Sequence, residues 1–304
     1  MKILITGACG HIGSYIIENI YKIKKVKKVI LVDNFLEGKI HSVFNLKKRK
    51  KFVISSKDLT IKDSLNSFKK IDIIIHCASI TNAAGSFDIK DKMFKNNLGC
   101  MKTVINYCNK NKTKLIHFSS TSVYGKQTNI VDENCEKKFL IPQSPYAEIK
   151  LIEENMLKKN SKNFKYNTFR LGTIGGISKG MRFHTAINQF CLNASLNSDI
   201  KIYKGAYDQF RPYLTLRDTF KTIKFVIENN FFRNDIFNIL SNNYTVRQII
   251  NIIKKYKSNI KIKFVNTKML NQLSYKVKKE KIEKFGLKIN SNIEKDIKDT
   301  LNLF

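Results

Sequence analysis

A tyrosine and a lysine stand four residues apart, as Tyr146 and Lys150. On a helix this spacing places the phenol and the ammonium on one face, one turn apart. A phenol in water loses its proton only near pH 10, so it is a poor base at neutral pH. A nearby ammonium favours the phenolate. The pair therefore predicts a tyrosine that accepts a proton, with Lys150 as the group that activates it.

A run of hydroxyl side chains, from Ser119 through Ser120 and Thr121 to Ser122, follows an apolar stretch at 115–119. That stretch is typical of a buried strand, and ligands of open parallel sheets bind at the carboxyl ends of strands. Hydroxyls at this place can bond a reacting alcohol or ketone and share its proton with Tyr146. The alternative is that they only cap the end of the strand.

Three glycines, Gly7, Gly10 and Gly13, follow an apolar strand at 3–6 and precede residues with helical spacing. Glycine allows a tight turn and close approach of the backbone to a pyrophosphate, and a helix N-terminus attracts phosphate. Asp33 ends the next apolar strand, 20 residues beyond Gly13, where a carboxylate accepts bonds from ribose hydroxyls. Together they predict a dinucleotide site. Because a carboxylate repels a 2′-phosphate, NAD is favoured over NADP.

The surrounding pattern predicts an α/β fold, a Rossmann doubly wound parallel sheet with a smaller C-terminal α/β substrate lobe. Residues 1–172 are the expected NAD-binding domain and 173–304 mainly the lobe, with segments near 213–240 rejoining the sheet. Strands are predicted at 3–6, 29–32, 51–55, 71–78, 115–119, 167–171, 200–203, 213–216, 236–239 and 261–265. Helices are predicted at 15–24, 91–109, 146–160, 246–255 and 292–302.

The composition excludes several classes of protein. The 304 residues are 42% hydrophobic, which is enough for a core, and no apolar run approaches the roughly 18 residues that cross a bilayer. The N-terminus is typical of a strand, not of a signal peptide. The six cysteines show neither CxxC pairs nor zinc spacing, so reduced thiols, a cytoplasmic location and no metal are expected.

The charge balance is strongly basic, with 56 Lys and Arg against 24 Asp and Glu, a formal net charge of +32. Such a balance can indicate binding to nucleic acid or to an anionic membrane. Only seven of these residues are arginine, and the lysines are spread along the chain. A surface dedicated to nucleic acid usually relies on Arg. Biased composition is therefore the favoured interpretation, with no specific nucleic acid and no membrane as partner.

Taken together, the motifs resemble the extended short-chain dehydrogenase/reductase family, in its nucleotide-sugar epimerase/dehydratase branch, and are similar to UDP-glucose 4-epimerases. The resemblance covers nearly the whole chain. Beyond the motifs above, it rests on the stretches 32–34, 57–59, 76–79, 96–99, 142–146, 170–173, 210–213 and 217–218.

The resemblance implies a role for each matching residue. Ser120 matches the catalytic Ser/Thr, Tyr146 the base, and Lys150 its partner, which also holds the nicotinamide ribose. Asp58 and Leu59 match adenine contacts, Ala78 the wall beside the pyrophosphate, and Asn97 a polar residue that sets the conformation near the cofactor. The implied cofactor-binding set also contains Gly7, Gly10, His11, Ile12, Gly13, Asp33, Asn34, Cys77, Ser79, Tyr146 and Lys150.

On the substrate side, Arg211 matches an arginine that grips the diphosphate of a sugar nucleotide, which suits guanidinium geometry. The remaining candidates are Ser120, Thr121, Thr173, Arg182 and His184. Thr173 stands where many epimerases carry Asn, and the usual late Arg-Pro-Gly-Asp stretch is replaced by residues 271–275. Dehydratases of the family place Asp and Glu directly after the catalytic Thr. Here Thr121 and Ser122 follow Ser120, which argues against a 4,6-dehydratase.

These implications predict an NAD-dependent epimerase of a UDP-sugar, acting at C4 through a transient keto sugar and NADH. The alternative is an oxidoreductase with net hydride transfer, such as a 4-keto reductase. A nucleic-acid-binding protein on a Rossmann scaffold is a third hypothesis, which the Ser120, Tyr146 and Lys150 set weakens. The resemblance also implies a homodimer through the helices at 91–109 and 146–160.

Overall fold

The centre of the molecule is a parallel sheet that places several strand ends side by side. The computed structural model describes residues 1–82, 84–127, 130–266 and 274–304. The first six strands stand in the spatial order third, second, first, fourth, fifth, sixth, and the order reverses between the first and the fourth. Ligands of such sheets bind beyond the carboxyl ends of the strands at this reversal. The strands are β1 (Lys2–Thr6), β2 (Lys28–Asp33), β3 (Phe52–Ser56), β4 (Ile73–His76), β5 (Lys114–Ser120) and β6 (Tyr166–Leu171).

Successive side chains of β1 are buried on alternate faces of the sheet, which explains why the strands are apolar throughout. Ile3 and Ile5 belong to one core cluster, Leu4 belongs to a second, and all three are fully buried. Successive side chains of a strand point to opposite faces, so helices cover both faces of this sheet. Burying one such side chain contributes about 1.5–3 kcal/mol to folding.

Three helices flank these strands: α1 (His11–Asn19), α2 (Lys90–Asn111) and α3 (Pro145–Asn160). The start of α3 is fixed locally. Pro145 occupies the first turn, and the Oγ of Ser144 accepts a hydrogen bond from the backbone N–H of Ala147 at 3.2 Å. Both features favour helix initiation. Tyr146 therefore lies in the first turn of α3.

Beyond β6 the chain leaves the sheet and returns once. It forms β7 (Thr173–Gly175), α4 (Ala186–Ser195), β8 (Ile200–Tyr203), β9 (Phe210–Thr215), α5 (Leu216–Glu228) and β10 (Asp235–Ile239). β10 pairs in parallel with β6 and so becomes the seventh strand of the central sheet. Apolar residues of α5 join the same core cluster as those of α1, including Ile16, Ile223 and Val226.

The remaining elements build the smaller lobe. They are β11 (Asn242–Thr245), α6 (Val246–Tyr256), β12 (Ile262–Val265), α7 (Glu280–Glu283) and α8 (Ile293–Leu301). β9 lies between β11 and β7 in a three-stranded sheet, and β12 pairs with β8. The lobe has its own core, in which Ile187 of α4, Ile249 of α6 and Ile297 of α8 are fully buried.

The prediction of an α/β fold with a parallel Rossmann-type sheet is confirmed.

Some predicted bounds of helices and strands were wrong. The first helix covers His11–Asn19 instead of 15–24, because it begins directly at the glycine turn. The strand expected at 213–216 is Phe210–Thr215, and Leu216 already begins α5, where the Oγ of Thr215 accepts from the N–H of Asp218 at 3.0 Å. The sequence analysis also missed α4 and α5. The division at 172 stays a prediction.

Candidate active site

The glycine turn after β1 is shaped for a ligand that approaches the backbone closely. Gly7 has φ +59°, a conformation that favours glycine, and a Cβ there would lie 2.6 Å from the backbone nitrogen of Ala78. A Cβ on Gly13 would lie 2.3 Å from the carbonyl oxygen of Gly7. Helix α1 begins at His11 without a side-chain cap on its N-terminal N–H groups. Free N–H groups in this position attract phosphate, so the turn fits a dinucleotide.

Asp33, the last residue of β2, is hydrogen-bonded through its carboxylate to the glycine turn. Its Oδ2 accepts from the backbone N–H of Cys9 at 2.9 Å, and its Oδ1 accepts from that of Phe35 at 2.9 Å. These two bonds fix the carboxylate beside the glycine turn, and each oxygen keeps further acceptor capacity for a ribose hydroxyl. The neighbouring Asn34 holds the following turn, since its Oδ1 accepts from the N–H of Leu36 at 3.3 Å.

The loop after β4 forms the opposite wall of the turn. The Oγ1 of Thr6 accepts from the N–H groups of Cys77 and Ala78, each at 3.2 Å. Fully buried Asn97 of α2 holds the next residues, because its Oδ1 accepts from the N–H of Ile80 at 2.8 Å and its amide donates to the Ile80 carbonyl at 3.0 Å. This double contact gives a physical basis for the conformation-setting role implied for Asn97. Ser79 lies within the loop that the two contacts fix.

The two candidate adenine contacts follow β3. The Oδ1 of Asp58 accepts from the N–H and the Oγ1 of Thr60, at 2.8 and 2.7 Å. Leu59 is buried in the core cluster that contains Leu4 and Ile30. Its side chain therefore packs the core, and contact of either residue with adenine stays a prediction.

Ser120 ends β5, and its Oγ accepts from the backbone N–H of Ser122 at 3.2 Å and from the Oγ of Ser122 at 2.8 Å. Thr121 lies beside it, with its Oγ1 donating to the carbonyl of Leu171 at 3.2 Å. The Oγ1 of Thr121 also lies 3.4 Å from the hydroxyl oxygen of Tyr275. The strand end thus presents several hydroxyls at the carboxyl edge of the sheet.

On α3, the Nζ of Lys150 lies 5.8 Å from the centre of the Tyr146 ring. The lysine is buried, and burial alone lowers the pKa of its ammonium. Attraction to Glu153 and Tyr146 outweighs burial, so the net effect raises the pKa of Lys150. The ammonium is therefore charged at neutral pH, as activation of a phenol requires.

Two adjacent buried glutamates complete this region, and the sequence analysis missed both. The Oε2 of Glu153 accepts from the Nζ of Lys150 at 2.8 Å and lies 3.1 Å from the Nε2 of His117. Glu154 binds Arg170 through two hydrogen bonds of 2.9 and 2.7 Å and accepts from the Oγ of Ser119 at 2.6 Å. The signal for both was present, since they stand three and four residues after Lys150, on the same helix face.

A strap, defined as residues 178–182, lies against the glycine turn from the side of the lobe. The Oγ of Ser178 donates to the carbonyl of His11 at 2.9 Å, and the N–H of Gly180 donates to the Oγ of Ser14 at 2.9 Å. The fit is tight, because a Cβ on Gly180 would lie 2.1 Å from the carbonyl oxygen of Cys9. The strap therefore packs directly on the predicted phosphate-binding turn.

Arg182 ends the strap in a half-buried position, and its Nη1 donates to the Oγ1 of Thr81. Its Nε and the Nε2 of His11 are buried without a partner among the residues that the structure describes. Burial and the Arg182 charge lower the pKa of His184 to about 4, so this imidazole is neutral at pH 7. The structure thus brings Arg182 and His184 to the same region as His11.

The other substrate-side candidates lie in the small sheet of the lobe. Thr173 begins β7 and pairs in register with Tyr213 of β9. Arg211 of β9 acts electrostatically on Tyr275, whose hydroxyl neighbours Thr121. This places Arg211 on the Ser120 side of the site. Residues 271–273 lie outside the part of the chain that the structure describes.

Comparison with known proteins identifies the family. The NAD dependent epimerase/dehydratase family model matches residues 3–239. The chain belongs to this family. It is 30% identical to the "Uncharacterized UDP-glucose epimerase YtcB" of Bacillus subtilis (strain 168), over 75% of this chain and 72% of the relative. It is 26% identical to the ADP-L-glycero-D-manno-heptose-6-epimerase of Brachyspira hyodysenteriae, over 75% of this chain and 72% of that one.

Solved structures give the same fold. The UDP-N-acetylglucosamine 4-epimerase from Methanobrevibacter ruminantium M1, in complex with UDP-N-acetylmuramic acid, superposes with a TM-score of 0.86 at 24% identity, covering 99% of this chain and 97% of that one. The prediction of an NAD-dependent enzyme of the epimerase/dehydratase family is confirmed. Since family members differ in the sugar and in the carbon they act on, the reaction must be argued from the site.

Proposed function

We propose that this chain is a nucleotide-sugar epimerase that acts at C4 of a UDP-sugar. The observation that carries the proposal is the edge where β5 meets α3. Ser120 ends β5, Tyr146 and Lys150 lie on α3, which packs on β5, and Thr121 and Ser122 stand where a dehydratase needs two carboxyl side chains. Without an acid/base carboxyl pair, expulsion of a hydroxyl as water lacks its catalyst. Transfer of a proton and a hydride at one carbon, as epimerisation requires, does not need such a carboxyl pair.

The chain's own residues would act as follows. NAD, held by the glycine turn and Asp33, would supply a hydride acceptor for the sugar carbon and a hydride donor for the return step. Tyr146, as phenolate beside the Lys150 ammonium, accepts the proton of the sugar hydroxyl, and Ser120 bonds the same oxygen. The resulting keto sugar turns over in the pocket, and Tyr146 returns the proton once the opposite face has been reduced. Arg211 holds the diphosphate of the substrate.

The strap supports an epimerase over a reductase. An epimerase regenerates its cofactor in every cycle, so a bound NAD has no need to leave, whereas a reductase must exchange it. The hydrogen bonds of Ser178 and Gly180 to His11 and Ser14 cover the phosphate-binding turn from the lobe side. Such a contact slows cofactor exchange and leaves the epimerase cycle unaffected.

A panel of UDP-, dTDP- and GDP-sugars tests the proposal. Purified protein is incubated with each sugar without added cofactor, and the products are separated chromatographically. Isomerised UDP-sugar without net consumption of NAD or NADH is the expected result. Net turnover of NADH or NADPH with a 4-keto sugar, and no isomerisation, would establish the reductase in its place.

We further propose a cytoplasmic homodimer that packs α2 and α3 across a two-fold axis. Both helices carry apolar residues that stay half-buried in the single chain: Phe94 and Leu98 on α2, and Ile152 on α3. Among the described residues, no helix is long and apolar enough to cross a bilayer. Light scattering at micromolar concentration tests the dimer, and a monomer mass would refute it.

A further inference from the structure

Lys150 is hydrogen-bonded into a row of buried polar side chains. The other members of this row, Glu153, His117 and Thr168, have no part in the proposed reaction. The carboxylate of Glu153 sits between Lys150 and His117, and a single oxygen, Oε2, meets both nitrogens. The second ring nitrogen of His117, Nδ1, lies 3.2 Å from the Oγ1 of Thr168 on β6. All of these side chains are almost completely buried.

The hydrogen-bond pattern assigns one proton. Because a carboxylate only accepts, the Nε2 of His117 carries the hydrogen that points at Glu153. The ammonium of Lys150 donates to the same oxygen, so the two nitrogens fix the carboxylate of Glu153 from two sides. His117 thereby orients the carboxylate toward Lys150.

Other ionisable groups nearby do not disturb the pairing of Lys150 with Glu153 at neutral pH. Burial lowers the pKa of His76 to about 3, and burial raises the pKa of Cys100 to about 12. Burial also raises the pKa of Cys77. The groups that face the Lys150 and Glu153 pair or its partner Tyr146 are His76 on β4, Cys77 after it, Cys100 on α2, His117 on β5 and Arg182 of the strap.

We propose that Glu153, oriented by His117, is a positioning residue that holds the Lys150 ammonium beside Tyr146 and limits how strongly Lys150 stabilises the phenolate. This inference rests on the proposed role of Tyr146 as the base. Tyr146, Lys150 and Glu153 stand at helix positions i, i+4 and i+7, so the ammonium lies between the phenol and the carboxylate. The carboxylate of Glu153 therefore attracts the ammonium and repels a negative charge on Tyr146.

The substitution Glu153→Gln removes the negative charge but keeps the size of the side chain and one acceptor oxygen. Loss of this negative charge makes it easier for neighbouring groups to release their protons. The coupled Tyr146 and Lys150 pair therefore releases its first proton at lower pH. At a separation of two helix turns, a unit charge shifts such a titration by on the order of one pH unit. A purely structural role for Glu153 would weaken folding without moving the titration.

The matched control is Glu154→Gln. It removes the charge of the adjacent buried glutamate, which binds Arg170 and Ser119 and not Lys150. If loss of any buried glutamate on this helix face shifted the titration of Tyr146, then Glu153→Gln and Glu154→Gln would shift it equally. Glu153→Asp is the conservative variant, in which a shorter carboxylate restores the charge.

The experiment follows tyrosinate absorbance of NAD-saturated protein during a pH titration. Tyr146→Phe is made in each background, and subtraction isolates the signal of Tyr146. We expect the Tyr146 midpoint to fall by about one pH unit in Glu153→Gln, to stay in Glu154→Gln, and to lie between in Glu153→Asp. If Glu153→Gln does not fold, Glu153→Asp is decisive, and its midpoint must still fall.

An unchanged or higher midpoint overturns the inference. The titration needs no substrate, so its outcome is separate from the sugar panel. Failure of every nucleotide sugar to react would refute the proposed function and leave the midpoints readable. An unmoved midpoint with normal epimerisation would refute only the role of Glu153.

Discussion

Two buried cations beside this site, Lys150 and Arg170, each have a carboxylate partner. Lys150 pairs with Glu153, and Arg170 pairs with Glu154 through two hydrogen bonds. Removal of one partner from a buried pair leaves an uncompensated charge, which costs about 3–5 kcal/mol. Lys150 and Arg170 are therefore stabilised by two adjacent carboxylates of α3.

The phenol of Tyr146 can be removed with little change in packing. Tyr146→Phe is expected to abolish turnover and to keep the fold and NAD binding, because the ring still fills its space while the base is lost. Rate assays with the reactive sugar and calorimetric titration with NAD check both parts. Activity within about tenfold of the original, a barrier change of only ~1.4 kcal/mol, would contradict the assignment.

A phenol elsewhere on the sheet's helices, that of Tyr107, serves as the control. The hydroxyl of Tyr107 donates to the carbonyl of Phe68 at 2.8 Å, on α2 and away from the strand ends. Tyr107→Phe should lower stability by about 1 kcal/mol and leave the rate unchanged. The comparison separates loss of the base from loss of any buried hydroxyl.

At the scale of elements, sequence reasoning succeeded where the signal is local. The glycine turn, Asp33 and the pair of Tyr146 and Lys150 each depend on spacing within one strand, turn or helix. The spacing of Glu153 after Lys150 is local as well and was overlooked, whereas its contact with His117, 36 residues away, depends on the packing of α3 on β5. The strap was missed because Gly180 meets Cys9 across the two halves of the chain.

The fit of the strap can be tested at Gly180. Gly180→Ala places a methyl group 2.1 Å from the carbonyl oxygen of Cys9, so the strap must move. We expect a loss of about 1–3 kcal/mol in unfolding free energy and faster release of NAD. Urea denaturation and stopped-flow release of NAD measure the two effects. Gly205→Ala is the control, since no atom lies within 4 Å of a Cβ there. Equal behaviour of both variants would disprove the tight contact.

Helix α8 carries a carboxylate that is destabilising at neutral pH. The Oδ1 of Asp296 lies 3.0 Å from the Nη2 of Arg217, but its Oδ2 is buried without a hydrogen-bond partner among the described residues. Burial raises the pKa of Asp296 from 3.8 to about 6 despite Arg217. The unfolded chain releases this proton near pH 4, so stability falls between about pH 4 and pH 6.

Asp296→Asn removes this dependence. The variant should be about as stable as the original chain below about pH 4 and more stable by about 3 kcal/mol above pH 6. Urea unfolding at pH 4 and pH 7 measures both differences. Asp88→Asn, at an exposed position, is the control and should change neither value. A gain of the same size at both pH values would exclude the buried charge as its cause.

For the whole molecule, the net charge of +32 calls for an explanation that the active site alone does not give. Arg170 of the central sheet serves structure through its buried pair with Glu154. Lysines carry most of the remaining charge and are spread over the surface. Lysines spread over a surface attract polyanions through the release of counterions, without directed contacts.

Two salt titrations separate this general attraction from substrate binding. Affinity for duplex DNA should be weak and fall steeply with salt. Affinity for the UDP-sugar should fall less, because Arg211 holds the diphosphate by directed bonds in a cleft where salt screens less. Arg211→Ala should raise the KM of the sugar about tenfold and leave DNA affinity unchanged. Sequence-selective DNA binding that persists at about 0.2 M salt would show that the lysines serve nucleic acid after all.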